Sequence, residues 1–267
     1  MSLIDTNVHL SRWPFRRLRL DDTAKFVSHL RANGITEAWA GTYDALLHRD
    51  LTATNERLVA ECARHDLLKP VGAINLSLPA WQEDVHRCLA AHRMHAVRVY
   101  PNYHGYRLDD PRFKQLVSIT AKAKVPLQIA VMMEEERTQN PLVAVPHVDA
   151  SPLLELLPQI SNARVILQNA FRAVRGGLLL KLVATRQVWF DHSTIEGMEG
   201  LRGILKQIPA DRIVFGSHAP FYLLESALLK FRESALTDAE RDALTHRNAE
   251  ALLREGRNTQ RSPQTEN

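Results

Sequence analysis

Short apolar runs recur along this chain, and the segments between them carry apolar residues at helical spacing. The runs fall at residues 3–9, 35–40, 68–76, 96–100, 126–131, 164–167, 188–190 and 213–215. Each has the length and the Val, Ile and Leu content of a buried strand, and turn formers or polar residues bound most of them. Helical patterns fill 22–31, 54–65, 80–91, 111–124, 152–157, 178–184 and 201–207, and a longer one covers 222–254. Asp21 or Asp22 caps the first helix, Gly34 closes it, and Pro111 opens another. Eight strands alternating with helices predict a parallel sheet, and eight such units over residues 1–254 match a single (β/α)8 barrel of the TIM type. A doubly wound open sheet is the alternative. It wants a Gly-rich phosphate turn after an early strand, and the sequence has none. The tail 255–267 lacks large apolar residues and is expected to be disordered.

The 267 residues are 45% hydrophobic, enough for one large core. The net charge of +4 and pI of about 9.2 come from scattered basic residues. That argues against nucleic acid as a partner and favours a diffuse attraction for small anions. Cys62 and Cys88 fall in helical segments without metal-type spacing and read as reduced thiols of a cytoplasmic protein. The chain opens directly into a strand, so no signal peptide is expected. No apolar stretch has the length to span a bilayer.

A barrel of this kind carries its chemistry at the carboxyl ends of the strands. Asp5, Asn7 and His9 alternate along the first strand and so share one face. The later strands deliver Asn75 and Ser77, Arg98 and Tyr100, Gln128, Gln168 and Asn169, then Asp191, His192 and Ser193, and finally Ser217 and His218. Closure of the barrel makes the first and last strands neighbours, so His9 and His218 should meet at one mouth. For any single Asn or Ser, capping a strand or bonding a loop is the commoner role; the whole set suggests a mouth built for something polar. Residues 100–106 form an aromatic loop that would lid a flat ligand or pack on the rim. Residues 134–137 read as a solvated or paired charge run. The long stretch 138–152, with His147 and Asp149, would cover the mouth or serve a homo-oligomer interface. His48, His65, His86 and His92 read as surface residues.

Several of these segments carry a family resemblance. Ile4-Asp5-Thr6-Asn7-Val8-His9 resembles the strand-one motif of the amidohydrolase superfamily, an aspartate followed by His-x-His. Phe215-Gly216-Ser217-His218-Ala219-Pro220 resembles its strand-eight motif, Gly-Ser-Asp-x-Pro, and His246-Arg247-Asn248-Ala249 the Asn-Ala element of the following helix. Val97-Arg98-Val99-Tyr100-Pro101 resembles strand four of the amidohydrolase-related branch, which holds decarboxylases of aromatic or muconate-type acids and a pyrone dicarboxylate lactonase.

The departures bear on the metal. The positions of the superfamily's metal ligands hold Asn7, Gln128 or Ala130, and Asn169, and His218 stands for the strand-eight aspartate; His9 alone keeps a ligand type. Zinc wants three or four Cys, His or carboxylate ligands. The expectation is therefore a barrel without a cofactor. The alternative is a divalent metal at His9 and His218, completed by Asp191 or water. The function expected is a hydrolase or lyase for a small, carboxylated or cyclic, anionic substrate. His218 and His9 would be its catalytic residues, and Asn7, Arg98, Tyr100, Gln128, Asn169 and Asp191 would bind substrate. Arg98 is the natural carboxylate grip, because a guanidinium matches a carboxylate bidentately; its other role would be a structural ion pair. For His218 the competing role is a buried histidine satisfied by its neighbours. The competing function is a non-catalytic barrel that binds a ligand or partner after loss of the metal site.

Overall fold

A computed structural model describes residues 2–257. Eight strands, β1 (Ile4–Leu10), β2 (Glu37–Thr42), β3 (Leu68–Ile74), β4 (Ala96–Val99), β5 (Leu127–Ala130), β6 (Val165–Gln168), β7 (Val188–Asp191) and β8 (Ile213–Val214), pair in sequence order, all parallel. The last seam closes through the backbone. Thr6 N donates to Phe215 O at 2.9 Å, His218 N to Asn7 O at 2.9 Å and His9 N to Ala219 O at 3.0 Å. The fold is the expected (β/α)8 barrel.

Period two along each strand sorts the side chains. On β4, Val97 and Val99 join the large apolar layer under the helices, whereas Ala96 and fully buried Arg98 face inward. The amino-terminal end of the interior is filled by Ile4, Trp39, Val71, Ala96, Ile166 and Val214. Above that layer the inward residues turn polar: Arg98, Gln128, Gln168 and Asp191, each fully buried. A register shift between Asp5 and Val8 re-aims the polar residues of β1.

Two segments, 222–254 and the start of the tail, differ from the sequence reading, and the aromatic stretch 100–106 takes the rim-packing role of the two expected for it. The long helical pattern 222–254 is broken into Leu224–Glu233, Asp238–Asp242, a wider turn Ala243–Arg247 and Asn248–Arg257. The break is specified locally. Thr237 Oγ1 accepts from Glu240 N at 3.2 Å and Glu240 Oε2 accepts from Thr237 N at 2.8 Å, a capping box written as Thr-x-x-Glu. The aromatic stretch after β4 folds into a short helix, Pro101–His104, that buries Tyr100, His104 and Tyr106 in the rim. The last helix runs to Arg257, into the tail expected to be disordered; residues 258–267 lie outside those described. No helix among the described residues is long and apolar enough to cross a membrane.

Candidate active site

The carboxyl ends of β1, β4, β6, β7 and β8 enclose a polar chamber. His9 and His218 meet there edge to face, with ring centroids 5.4 Å apart and both residues buried. Burial holds both imidazoles neutral. It drives His9 well below the ordinary histidine range, with the Arg98 charge adding to it, and it pushes His218 down to about 4.

The two rings have different duties. His218 Nε2 lies 2.7 Å from the carbonyl oxygen of Met133, so it carries the proton and donates. That leaves Nδ1 with the lone pair, buried and without a hydrogen-bond partner. His9 Nε2 instead lies 2.6 Å from Arg98 Nη1, a donor that takes its lone pair. The Tyr100 hydroxyl sits 3.2 Å from the same nitrogen. His218 therefore offers a free base, and His9 is a strut for the guanidinium. His218 also adopts φ 59°, a left-handed backbone that suits Asn, Asp or His better than most residues.

Arg98 is held from several sides. Nε donates to Gln128 Oε1 at 2.8 Å and Nη1 to Val8 O at 3.3 Å. Gln128 is itself fixed, donating to Thr6 O at 2.9 Å. Nη2 is buried with no partner, and among the described residues no carboxylate lies within ion-pair distance of Arg98. The structural ion pair that would compete with ligand binding is absent from those residues. Gly41 on β2 makes room for this side chain, since a Cβ there would lie 2.6 Å from Arg98 Nη1.

Two carboxyl groups complete the chamber. Asp191 Oδ2 accepts from Asn7 Nδ2 at 2.6 Å, and Oδ1 accepts from Asn169 N at 3.1 Å and Ser193 N at 3.2 Å. Ser193 Oγ lies 2.7 Å from both Asp191 Oδ1 and Asn169 Oδ1, so its single proton serves one at a time. Asn7 Nδ2 also donates to Asn169 Oδ1 at 2.9 Å, and Asn169 Nδ2 to Met132 O at 2.7 Å. Asp5 knits the β1–β8 seam, accepting from Ser217 Oγ at 2.5 Å, Ser217 N at 3.0 Å and Asn7 N at 3.1 Å. Burial raises both carboxyls, Asp5 to about 7.

The chamber is closed by aromatic rings. Tyr43 stacks on His9 with centroids 4.8 Å apart, and Phe221 and Tyr222 cover His218 at 5.3 and 5.1 Å. Trp13 seals the top against Tyr43 at 5.3 Å and Phe221 at 4.9 Å. Beside this plug, on the same barrel face, lies an open cavity of about 560 Å³. Arg16, Arg172, Lys230, Ser193, Phe221 and Tyr222 are among its walls. Arg172 is bound by Glu196 (Nε to Oε1, 3.0 Å) and lies 3.3 Å from Glu135.

The sequence reading therefore locates the chamber but not its door. His9, His218, Asn7, Arg98, Gln128, Asn169, Asp191 and Tyr100 all converge. Of these, Asp191 and Gln128 have their bonding taken by protein groups. His192 leaves the mouth set: it lies between the barrel and its helices, against Phe215 and Phe231, its Nδ1 accepting from Gly216 N. Asn75 caps its own loop, accepting from Ser77 N, and Ser77 Oγ donates to His104 O in the neighbouring loop. His147 faces Glu136, and Asp149 is spent on Ser151. Glu134, expected in a solvated run, is buried. The sequence reading passed over Tyr43, Trp13, Phe221 and Lys230; Asp5, noted on the face of Asn7 and His9, was not carried into the site. The register shift after Asp5 takes it off that face and into the β1–β8 seam, where it bonds Ser217. The others come from distant loops and helices.

Fold and site together define a barrel with buried, neutral imidazoles at the carboxyl face of its strands. The model of the amidohydrolase family matches residues 4–254, and the chain belongs to that family. No protein of curated function matches it. Among solved structures it is similar to 2,6-dihydroxybenzoate decarboxylase from Rhizobium (16% identity, TM-score 0.70, covering 94% of this chain and 99% of the other). It is similar to dihydroxybenzoic acid decarboxylase from Polaromonas sp. JS666, solved with bound manganese and 2-nitroresorcinol (14%, 0.75, 96% and 98%). It is also similar to 5-carboxyvanillate decarboxylase from Novosphingobium aromaticivorans DSM 12444, again with manganese (13%, 0.72, 95% and 97%).

These neighbours correct the expectation of a cofactor-free barrel, because two of them hold a divalent ion. Tested against that ion, the residues here do not fit it as they stand. Among the described residues no group of three His, Cys, Asp or Glu converges for a metal. The His9 Nε2 lone pair faces a guanidinium and the Asp191 oxygens are filled by amides and a hydroxyl. The His9–His218 pair lacks a third ligand of that kind, and no step below is routed through a metal.

Proposed function

We infer that this protein is a lyase acting on a small, hydroxylated aromatic carboxylic acid, with His218 moving the proton. The observation that carries this reading is the pairing, in one chamber, of a neutral imidazole with a free Nδ1 lone pair and a buried guanidinium with a free Nη2. Arg98 would grip the substrate carboxylate, and His9, Tyr100 and Gln128 hold that guanidinium in place. Asn7, whose Oδ1 is buried without a partner, would accept from a substrate hydroxyl, and Asn169, Asp191 and Ser193 would hold Asn7 in place. His218 would take a proton from a substrate hydroxyl and return it to the ring carbon as that carbon loses carbon dioxide. One C–H bond forms, one C–C bond breaks, and the hydroxyl regains its proton from solvent. Hydrolysis of a cyclic ester would use the same base on water; the decarboxylases among the similar structures favour the lyase.

A second reading, a barrel that binds without turnover, is favoured by one observation: the chamber is sealed by Tyr43, Trp13 and Phe221. The test is incubation with 2,6-dihydroxybenzoate, with and without added Mn²⁺, following carbon dioxide release. Turnover that disappears in His218→Asn supports the lyase. Saturable binding with no turnover in either condition supports the second reading.

A further inference from the structure

The chamber has chemistry without room, and the cavity beside it has room. Two rings, Phe221 and Tyr222, belong to both, and of these Phe221 is the one that also packs into the plug. Phe221 lines the cavity, lies 5.3 Å from the His218 ring and packs against Trp13 at 4.9 Å. The Arg16 guanidinium sits over it, 4.9 Å from the centroid. Phe221 is only half-buried and stands in the loop between β8 and the helix Leu224–Glu233, so its displacement disturbs no strand.

The cavity walls set Arg16, Arg172 and Lys230 against Glu135, Glu196 and Glu233; Arg172 is taken by Glu135 and Glu196, and the other two cations have capacity to spare. Lys230 Nζ donates to Ser193 O at 2.5 Å and reaches His192 O at 3.4 Å, which leaves one of its three protons for a ligand. Arg16 spends its charge on the face of Phe221. Among the described residues neither has a carboxylate within ion-pair distance. Two such cations beside the rings of Phe221 and Tyr222 match a flat anion, one that stacks on a ring and places its charge on an ammonium. The volume of about 560 Å³ lies within the ordinary range for small-ligand sites.

We propose that this cavity is a docking site for a planar carboxylate, held by Lys230 and Arg16, and that Phe221 is the partition whose displacement joins it to His218 and Arg98. The proposal rests on the functional reading above for the identity of the acid. It makes Phe221 a specificity-determining residue, because what passes must exchange places with one benzyl side chain. An anion drawing Arg16 off the Phe221 face would loosen the ring, which ties docking to opening.

The experiment uses the full chain and two readouts independent of turnover. The first is titration with 2,6-dihydroxybenzoate, comparing the parent with Lys230→Met. The expected result is binding weakened roughly tenfold or more, the scale of one lost charge-assisted hydrogen bond. The second is the rate at which diethyl pyrocarbonate modifies His218, read by peptide mass spectrometry. In the parent the buried ring should react slowly. Phe221→Ala should speed it by about tenfold or more, with Phe221→Leu between them, as removal of a local barrier predicts. Unchanged binding in Lys230→Met overturns the docking site. Unchanged His218 reactivity in a cooperatively folded Phe221→Ala or Phe221→Leu protein overturns the partition. Should turnover never be found while both effects appear, the lyase reading fails and this one stands.

Discussion

The chamber and the cavity lie on one face of one barrel and differ in nearly every physical respect. The chamber holds buried histidines, carboxyls and a guanidinium, each fixed by strand ends and by bonds to other protein groups. The cavity holds partly exposed charges on loops and on the helix Leu224–Glu233, with open volume beside them. Burial sets the protonation of the chamber's groups, because desolvation leaves the imidazoles neutral and the carboxyls high. The same burial denies them a substrate. The comparison teaches that the buried polar groups and the open volume are built from different elements here and meet at Ser193, Phe221 and Tyr222.

The comparison can be pressed hardest with acid. His218 and His104 have native values near 4 and His192 near 3, all lowered by burial from 6.5. A lowered histidine binds its proton in the unfolded chain first, so stability present above about pH 6.5 is lost as pH falls toward 4. Asp5 acts in the opposite sense. Its native value near 7 against 3.8 means the folded state keeps a proton the unfolded chain has lost, a stabilisation present below pH 3.8 and lost as pH rises through 7. The histidines outnumber it, so the protein should unfold cooperatively between about pH 6 and 4. Asp5→Asn should steepen that loss. A flat melting temperature across this range would show that the chamber is wetter than its geometry says.

Next in size is His218→Asn. Asn tolerates the left-handed backbone at this position, so the fold should survive. Turnover should fall by about a hundredfold or more, the scale of a lost proton-transfer group. Retained activity would move the chemistry out of the chamber.

Two glycines sharpen the contrast in packing. A Cβ on Gly216 would lie 2.7 Å from Asp191 Cβ and 3.1 Å from Asn7 Cβ. Gly216→Ala should therefore cost about 1–3 kcal/mol in denaturant unfolding. Gly203, in the helix Gly200–Leu205, has nothing within 4 Å of such a Cβ. There Gly203→Ala should stabilise by roughly 0.5–1 kcal/mol. Equal effects at both sites would mean that the chamber floor yields as easily as the surface. A comparably small effect lies far from both regions: Thr237→Ala removes the capping box and should cost about 1 kcal/mol.

The sequence was most legible where the signal is local. The strands and most of the helices follow from side-chain periodicity, and so does the face shared by Asn7 and His9; the register shift between Asp5 and Val8 takes Asp5 off that face. Gly-Ser-His after β8 marked the strand end that bears His218. One local signal was passed over: Thr237-x-x-Glu240 announces the break within 222–254.

What the sequence by itself determined is the barrel, the family and the residue types gathered at its mouth, because periodicity and strand order need only neighbours along the chain. What the tertiary structure alone decided is how those residues divide the work. The sequence brings His9 and His218 to one mouth; the fold sets Arg98 against the lone pair of one and a backbone carbonyl against the proton of the other. The sequence places Trp13, Tyr43 and Phe221 in three unrelated loops or turns, and only closure of the barrel stacks them into a plug. Hydrogen-bond direction, desolvation and access depend on which groups meet across space, and no spacing along a chain contains that.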